Sequence, residues 1–334
     1  MGTRTRTRKI NFEQSVFDIK DEPMPSGAWW WWFWLFFFDN PKNPSEPRQL
    51  MILWSTKNVR EIQCNGLSMK IAPSSDRKNL DGAVAAWYFD GEKMHHNYIL
   101  EQSRISISEK VLSSTSSTPT SFSVRPGASE VRIGDDFHFI AENIASEAGD
   151  STYSANKYVG SLGYNIIRIN SLSLKGTVGN ENISGTAYFQ RVFVNAPSPS
   201  WYWGVFHFEN GGVLSYFNPH LFGKSLKKDI QFFDGEKNHS FKSIRVKRSV
   251  GETPTFTVSG ENNGERISFK VDSYSQSSWT FKKKTLGILP NTLVYNEYPA
   301  VISEFELEGN GKKLTLKELG KGIGNAEHST GFLL

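Results

Sequence analysis

The chain has 334 residues, a formal net charge of +4 at pH 7 and 22% charged residues. That length allows a sizeable core and two domains, while so small a basic excess gives no case for nucleic acid. One cysteine, Cys64, excludes an internal disulfide and a cysteine zinc cluster, and it suits a reducing, cytoplasmic compartment.

Met1 to Lys9 is polar and basic (Arg4, Arg6, Arg8, Lys9), with no apolar stretch behind it. It reads as a solvated terminus rather than a secretory leader, with peripheral contact to an anionic membrane surface as the alternative. The run Trp29–Phe38 (WWWWFWLFFF) is ten residues long, whereas a spanning helix needs about 20. We expect a strand buried on both faces, with Trp32 and Trp34 sharing one of them, the alternative being an aromatic strand that dips into lipid. Strand-like runs bounded by turn residues then recur: Gln49–Ser55, Val84–Phe89, Tyr98–Ile107, Phe137–Ile140, Tyr164–Leu174, Gly185–Val194, Trp201–Phe208, Gly212–Phe217, and on through Ala300–Glu308 and Lys313–Lys317. Such density predicts an all-β sandwich or barrel. Ser113–Ser121 (SSTSSTPTS) reads as a mobile surface loop. The polar stretch Asp150–Lys157 marks a boundary, giving an N-terminal half 1–150 and a C-terminal half 151–334.

The two halves echo each other. Phe89-Asp90-Gly91-Glu92-Lys93 recurs as Phe233-Asp234-Gly235-Glu236-Lys237, with His95 and His239 at the same place afterwards. Upstream, Trp31–Asn40 (WWFWLFFFDN) lies over Trp201–Asn210 (WYWGVFHFEN). Asp-Gly is a common hairpin turn, so part of the match is cheap. The economical reading is still two diverged copies of one β-unit, whose aromatic hairpins stand in equivalent places.

Alternate residues of a strand share a face, so Trp201, Trp203, Val205, His207 and Glu209 line one side of a single strand. Two indoles followed by an imidazole and a carboxylate form an apolar wall with convergent polar groups, as a ligand site needs. The alternative is ordinary core, with His207 and Glu209 solvated at the strand end. The preceding strand, Gly185–Phe193, carries Gln190 and Arg191 in mid-run, and one of the two must face inward. A buried Arg191 requires a partner, for which Glu209 is a candidate. The seven histidines show no metal-ligand spacing, Gly320–Gly324 lacks the Ser/Thr of a phosphate loop, and no Gly-x-Ser-x-Gly elbow occurs. No cofactor is implied.

Gly185-Thr186-Ala187-Tyr188-Phe189, followed after Ala196-Pro197-Ser198-Pro199 by Trp201-Tyr202-Trp203, resembles the hydroxyneurosporene synthase family. That family includes carotenoid hydratases and shares a double-calycin architecture with fungal Diels–Alderase-type pericyclases. Gly322-Ile323-Gly324-Asn325-Ala326-Glu327 is similar to the family's closing Gly-x-Gly-x-x-Glu, and the Trp cluster near residue 30 to its opening Trp-Trp motif. The resemblance implies two lipocalin-like antiparallel β-barrel halves packed together, with a large apolar ligand between or inside them. Tyr188, Gln190, Arg191, Trp201 and Trp203 are then expected to line it, with Tyr216, Trp32 and Trp34 adding aromatic wall. Family enzymes carry an acidic residue and a His after the Tyr-containing strand, where this chain has Gln190-Arg191. Protonating an alkene needs an acid, and His207, Glu209, Asp234 and Glu327 are the candidates left. The departure predicts no hydration of a linear carotene. A carrier without turnover and a structural or membrane-surface protein are the other readings.

Overall fold

Apolar side chains alternate along nearly every segment of the chain, and the backbone answers with strands. The computed structural model describes residues 15–18, 24–71, 76, 78–143, 152–159, 162–221, 224–225, 228–285, 289–309 and 311–333. The basic arm Met1–Lys9 lies outside these residues. In chain order, β1 (Trp29–Phe38) and β2 (Arg48–Lys57) form the first hairpin, and the short β3 (Ile62–Cys64) and β4 (Leu67–Met69) follow. A meander comes next: β5 (Asn79–Phe89), β6 (Met94–Ile107), β7 (Val111–Ser114), β8 (Thr120–Arg125), β9 (Ala128–Ile133) and β10 (Phe137–Asn143). Then come β11 (Thr152–Val159), β12 (Leu162–Val178) and β13 (Glu181–Asn195). The first sheet runs β10-β9-β8-β7-β6-β5-β2-β1-β13-β12-β11, and pairing of β10 with β12 closes ten of these strands into an antiparallel barrel.

The second half comprises β14 (Ser200–Phe208), β15 (Val213–Leu221), β16 (Lys224–Ser225), β17 (Asp229–Phe233), β18 (Asn238–Phe241), β19 (Ser243–Arg248), β20 (Thr255–Asn262), β21 (Glu265–Ser273), β22 (Ser277–Thr285), β23 (Leu289–Gly309), β24 (Lys312–Thr315) and β25 (Gly322–Gly331). One helical turn, α1 (Leu316–Leu319), is capped by Thr315 and Glu318 in reciprocal fashion. The main path of this sheet is β18-β17-β15-β14-β25-β23-β21-β20-β19. The protein is thus all-β, two lipocalin-like halves packed together. β3 and β4 leave the first half to join the second sheet, pairing Cys64 with Phe281 of β22. Buried there, the Cys64 thiol is pushed up to about 12.

The sequence echo is a structural one. In the first sheet β1 lies between its returning strand β2 and the closing strand β13, and β2 pairs with β5. In the second, β14 lies between β15 and the closing strand β25, and β15 pairs with β17. Both Asp-Gly turns are built alike. Asp90 accepts from the amides of Glu92 and Lys93, Asp234 from those of Glu236 and Lys237, and each Asp also holds a His ring, His95 or His239. Gly91 and Gly235 stand at φ +99° and +106°, where a side chain would be strained. The closing strands share a device as well. A Cβ at Gly185 would sit 2.0 Å from the Phe37 carbonyl, and one at Gly324 2.0 Å from the Val205 carbonyl, so β13 and β25 can press against β1 and β14 only with glycine there.

Two sequence expectations change here. The chain passes from the first sheet to the second between Asn195 and Ser200, through Ala196-Pro197-Ser198-Pro199, rather than near Asp150–Lys157. Strands β12 and β13 complete the first barrel, and the polar stretch runs into β11, which among the described residues pairs with β12 alone. Ser113–Ser121 is not a loop throughout. Its ends belong to the β7–β8 hairpin, where Ser114 and Thr120 are buried and hydrogen-bonded to each other at 2.6 Å, and Thr120 also receives the Trp54 indole N–H at 2.8 Å.

Strand alternation sorts the core into three parts. The first barrel's lumen takes Trp30, Trp32, Trp34, Phe36 and Phe38 from β1. The opposite face of β1 (Phe33, Leu35, Phe37) meets Trp203 and Val205 of β14 in a seam between the barrels. Phe206 and Phe208 point the other way, into the second lumen.

Candidate functional site

The first lumen is filled by its own chain. Val16 and Phe17 enter it, the Trp32 indole donates to the Val16 carbonyl at 2.9 Å, and Phe17 packs edge-on to Phe122 at 5.0 Å. Trp32 and Trp34 have no exposed surface and are core of this packed lumen. Arg191 also faces it. Its guanidinium lies over Trp30 at 4.9 Å, donates to the carbonyls of Ser15 and Asp18 at 3.0 Å each, and donates to Asn165 Oδ1 at 2.5 Å. The expected Arg191–Glu209 pair is therefore absent. Glu209 is exposed at the β14 turn, where it accepts the Lys321 amide at 3.1 Å. Asp234 serves its own hairpin, and Tyr216 lies in the second lumen.

The seam is where the remaining candidates gather. β23 and β25 pair with Glu297 directly opposite Glu327, and β14 places Trp203 opposite Glu327 on the other side. Ser277 of β22 completes the row beside Glu297. Both carboxyls are buried: Glu297 is 0% exposed and Glu327 5%. Glu327 accepts the Trp201 indole N–H at 3.0 Å on Oε2 and the Tyr295 hydroxyl at 2.5 Å on Oε1. Glu297 Oε2 accepts the indole N–H of Trp87, which reaches across the seam from β5, while its Oε1 has no hydrogen-bond partner among the described residues. Burial pushes both carboxyls well above the ordinary carboxylate range. The negative charge of Glu297 raises Glu327 further, and the donors Tyr295 and Trp201 oppose the shift. Two buried acids in direct register titrate as a pair and not independently. The Tyr295 hydroxyl and the Trp87 indole N–H oppose the shift of Glu297 in the same way, so two donors act on each carboxyl.

Aromatic rings surround the pair. Trp201 packs on Tyr295 at 5.5 Å and Trp203 on Tyr188 at 5.3 Å, and Tyr188 meets Phe33 from β1 at 6.4 Å. Burial raises the Tyr188 hydroxyl above its ordinary value, and it donates to Gln190 Oε1 at 3.0 Å. Ser277 Oγ and both amide atoms of Asn325, which lies two residues before Glu327, are buried without hydrogen-bond partners among the described residues.

His207 is at the seam but away from the acids. Its Nε2 donates to the Asn170 carbonyl at 2.6 Å, which leaves Nδ1 to accept the Thr186 hydroxyl at 2.6 Å, with Phe37 edge-on at 5.2 Å. Burial lowers its pKa to about 4, so the ring is neutral and both nitrogens are committed.

Of the four acid candidates read from the sequence, Glu327 alone sits among the aromatic wall residues Trp201, Trp203 and Tyr188. Glu297, Trp87 and Tyr295 complete the site, and sequence reasoning does not single them out. The run beginning at Ala300 starts just after Pro299, a residue that ordinarily demotes a strand, yet β23 continues back through it to Leu289. The alternation Leu293, Tyr295, Glu297 is the available signal.

No family model matches the chain, and no curated protein matches it. The fold superposes on a crystal structure of a putative AttH from Nitrosomonas europaea with a TM-score of 0.54 and 12% identity, covering 96% of this chain and 97% of that one. It also superposes on the crystal structure of CghA with Sch210972, with a TM-score of 0.53 and 9% identity, covering 92% and 89%. Both likenesses span the two halves and show the fold. Among the described residues, no helix is long and apolar enough to cross a membrane.

Proposed function

We propose that this protein takes a large apolar small molecule into the aromatic seam between its barrels and that the Glu297–Glu327 pair moves a proton on it. The observation that carries this reading is the pair itself: two buried carboxyls in direct register, fed by three donors and walled by indoles. Burying a charge without a cation is costly, so a structural role alone gives little reason to keep both acids here. The protonated carboxyl of the pair delivers its proton to an alkene carbon, the faces of Trp201 and Trp203 shelter the developing cation, and the pair takes a proton back from a neighbouring carbon afterwards. Isomerisation and cyclisation need nothing more, and hydration needs a water beside them. Gln190 hydrogen-bonds Tyr188 and Arg191 faces the first lumen, so neither replaces the acid of the hydroxyneurosporene synthase family that the sequence resembles. Terpenoid-like or carotenoid-like molecules fit the apolar, elongated wall, and the fold shared with CghA, crystallised with Sch210972, is compatible with a small-molecule ligand.

The test is organic extraction of the purified protein with mass spectrometry of what it holds, followed by incubation of that molecule with wild type, Glu297→Gln and Glu327→Gln. Conversion by the wild type alone, with the ligand retained by all three, supports the proposal. Retention by all three with no conversion identifies a carrier and removes the catalytic part.

A further inference from the structure

The far end of the seam holds a buried amine. Lys57, the last residue of β2, pairs with Trp29 across the β1–β2 ladder and is 6% exposed. Its Nζ lies over the Trp29 ring at 4.5 Å. Trp29 packs edge-on to Trp31 and to Phe281, at 5.5 Å each. Trp29 and Trp31 are only half-buried, so this aromatic cluster reaches the surface, and among the described residues the Trp29 indole N–H has no hydrogen-bond partner. A buried lysine ordinarily has a carboxylate beside it. Among the described residues the charge bearing on Lys57 is another cation, Lys283 of β22. A desolvated lysine next to a second cationic group is the arrangement that activates an amine as a nucleophile.

We propose that Lys57 is a covalent docking point for an apolar aldehyde or ketone held among Trp29, Trp31 and Phe281. The amine lone pair adds to the carbonyl carbon and the carbonyl oxygen takes up the proton released from nitrogen, giving a carbinolamine. The C–O bond then breaks, water leaves, and an imine joins the ligand to Nζ. One water is released, and no oxidant or reductant takes part. The indole face beneath Nζ stabilises the iminium form. Burial, reinforced by Lys283, brings the amine down to about 7, so a large neutral fraction is present at physiological pH. This site stands apart from the carboxyl pair. Lys57 is six residues along β2 from Met51, the neighbour of Trp87, or about 20 Å at strand rise.

The experiment uses the full chain with trans-cinnamaldehyde as probe and cyanoborohydride to trap the imine, followed by peptide mass spectrometry. At pH 7 Lys57 should be labelled on the order of tenfold or more faster than the exposed turn lysines Lys93 and Lys237, because an ordinary lysine is almost wholly protonated there. Cinnamyl alcohol, which has the same apolar body and no carbonyl, should slow labelling of Lys57 and leave Lys93 unchanged. Lys57→Met should remove the fast adduct, and Glu327→Gln should not. Equal labelling of Lys57 and the turn lysines, or no protection by the alcohol, would overturn the proposal, and neither reading depends on whether Lys57→Met folds.

Discussion

His207 and Asn170 are joined across the seam by a 2.6 Å hydrogen bond, from the imidazole Nε2 of the second barrel's first strand to a backbone carbonyl of β12 in the first barrel. A protonated ring would lose the bond it accepts from Thr186 and would place a charge in an apolar interface. The folded-state pKa, about 4, lies below the ordinary value of 6.5, so the unfolded chain binds more protons between these limits. Stability from this group is therefore complete above about pH 6.5 and is lost as the pH falls towards 4, by up to about 3 kcal/mol. Urea titrations of wild type and His207→Asn across pH 4–7 should show the steeper acid loss in the wild type. Parallel slopes would remove His207 as the cause.

The carboxyl pair has the opposite sign. Both folded pKa values lie above the ordinary carboxylate value, so the native state holds protons that the unfolded chain has released. Their contribution is most favourable in acid and becomes unfavourable as the pH rises past 4.5 towards the raised folded values. Glu327→Gln should therefore be more stable than wild type at pH 8, with the gain fading towards pH 4. Calorimetry at the two pH values measures it, and a gain that does not change with pH contradicts the raised carboxyls.

Trp203 provides wall beside Glu327 and packs on Tyr188. Trp203→Ala should weaken binding of an apolar ligand by about 1–3 kcal/mol, the scale of burying one large apolar side chain. Isothermal titration on a variant with unaltered far-ultraviolet dichroism tests this, and unchanged affinity would make Trp203 ordinary core.

Asn40 and Asn210 hold equivalent turns with unequal investment. Asn40 is buried, donates to the carbonyls of Glu46 and Gly91 at 2.8 and 3.0 Å, and accepts the amides of Lys42 and Asn43. Asn210 is exposed, donates to the Asp234 carbonyl at 2.9 Å and accepts the Gly212 amide at 2.8 Å. Asn40→Ala should cost about 2–3 kcal/mol and Asn210→Ala about 1 kcal/mol by denaturant unfolding.

What the sequence disclosed follows from which forces act locally. The Asp-Gly turns and the aromatic hairpins were legible because a positive φ demands glycine and because alternation reveals two buried faces in Trp29–Phe38. The indole stripe of β14 was legible for the same reason, and it led to Trp201 and Trp203. Glu297 was not. A glutamate on a strand ordinarily faces water, and only the register of β23 on β25 brings it opposite Glu327, thirty residues away. The partners of Arg191 were hidden because they include backbone carbonyls, which every residue carries and no letter announces.

Those carbonyls have a consequence for synthesis. Arg191 clasps Ser15 across 176 residues of chain, so the segment translated early is fastened by a strand translated much later. Until β12 and β13 have left the ribosome, Val16 and Phe17 have no lumen to enter, and the strands already emerged present their tryptophans without a lid. The first barrel is therefore a late-sealing vessel, whose stopper is made before its neck.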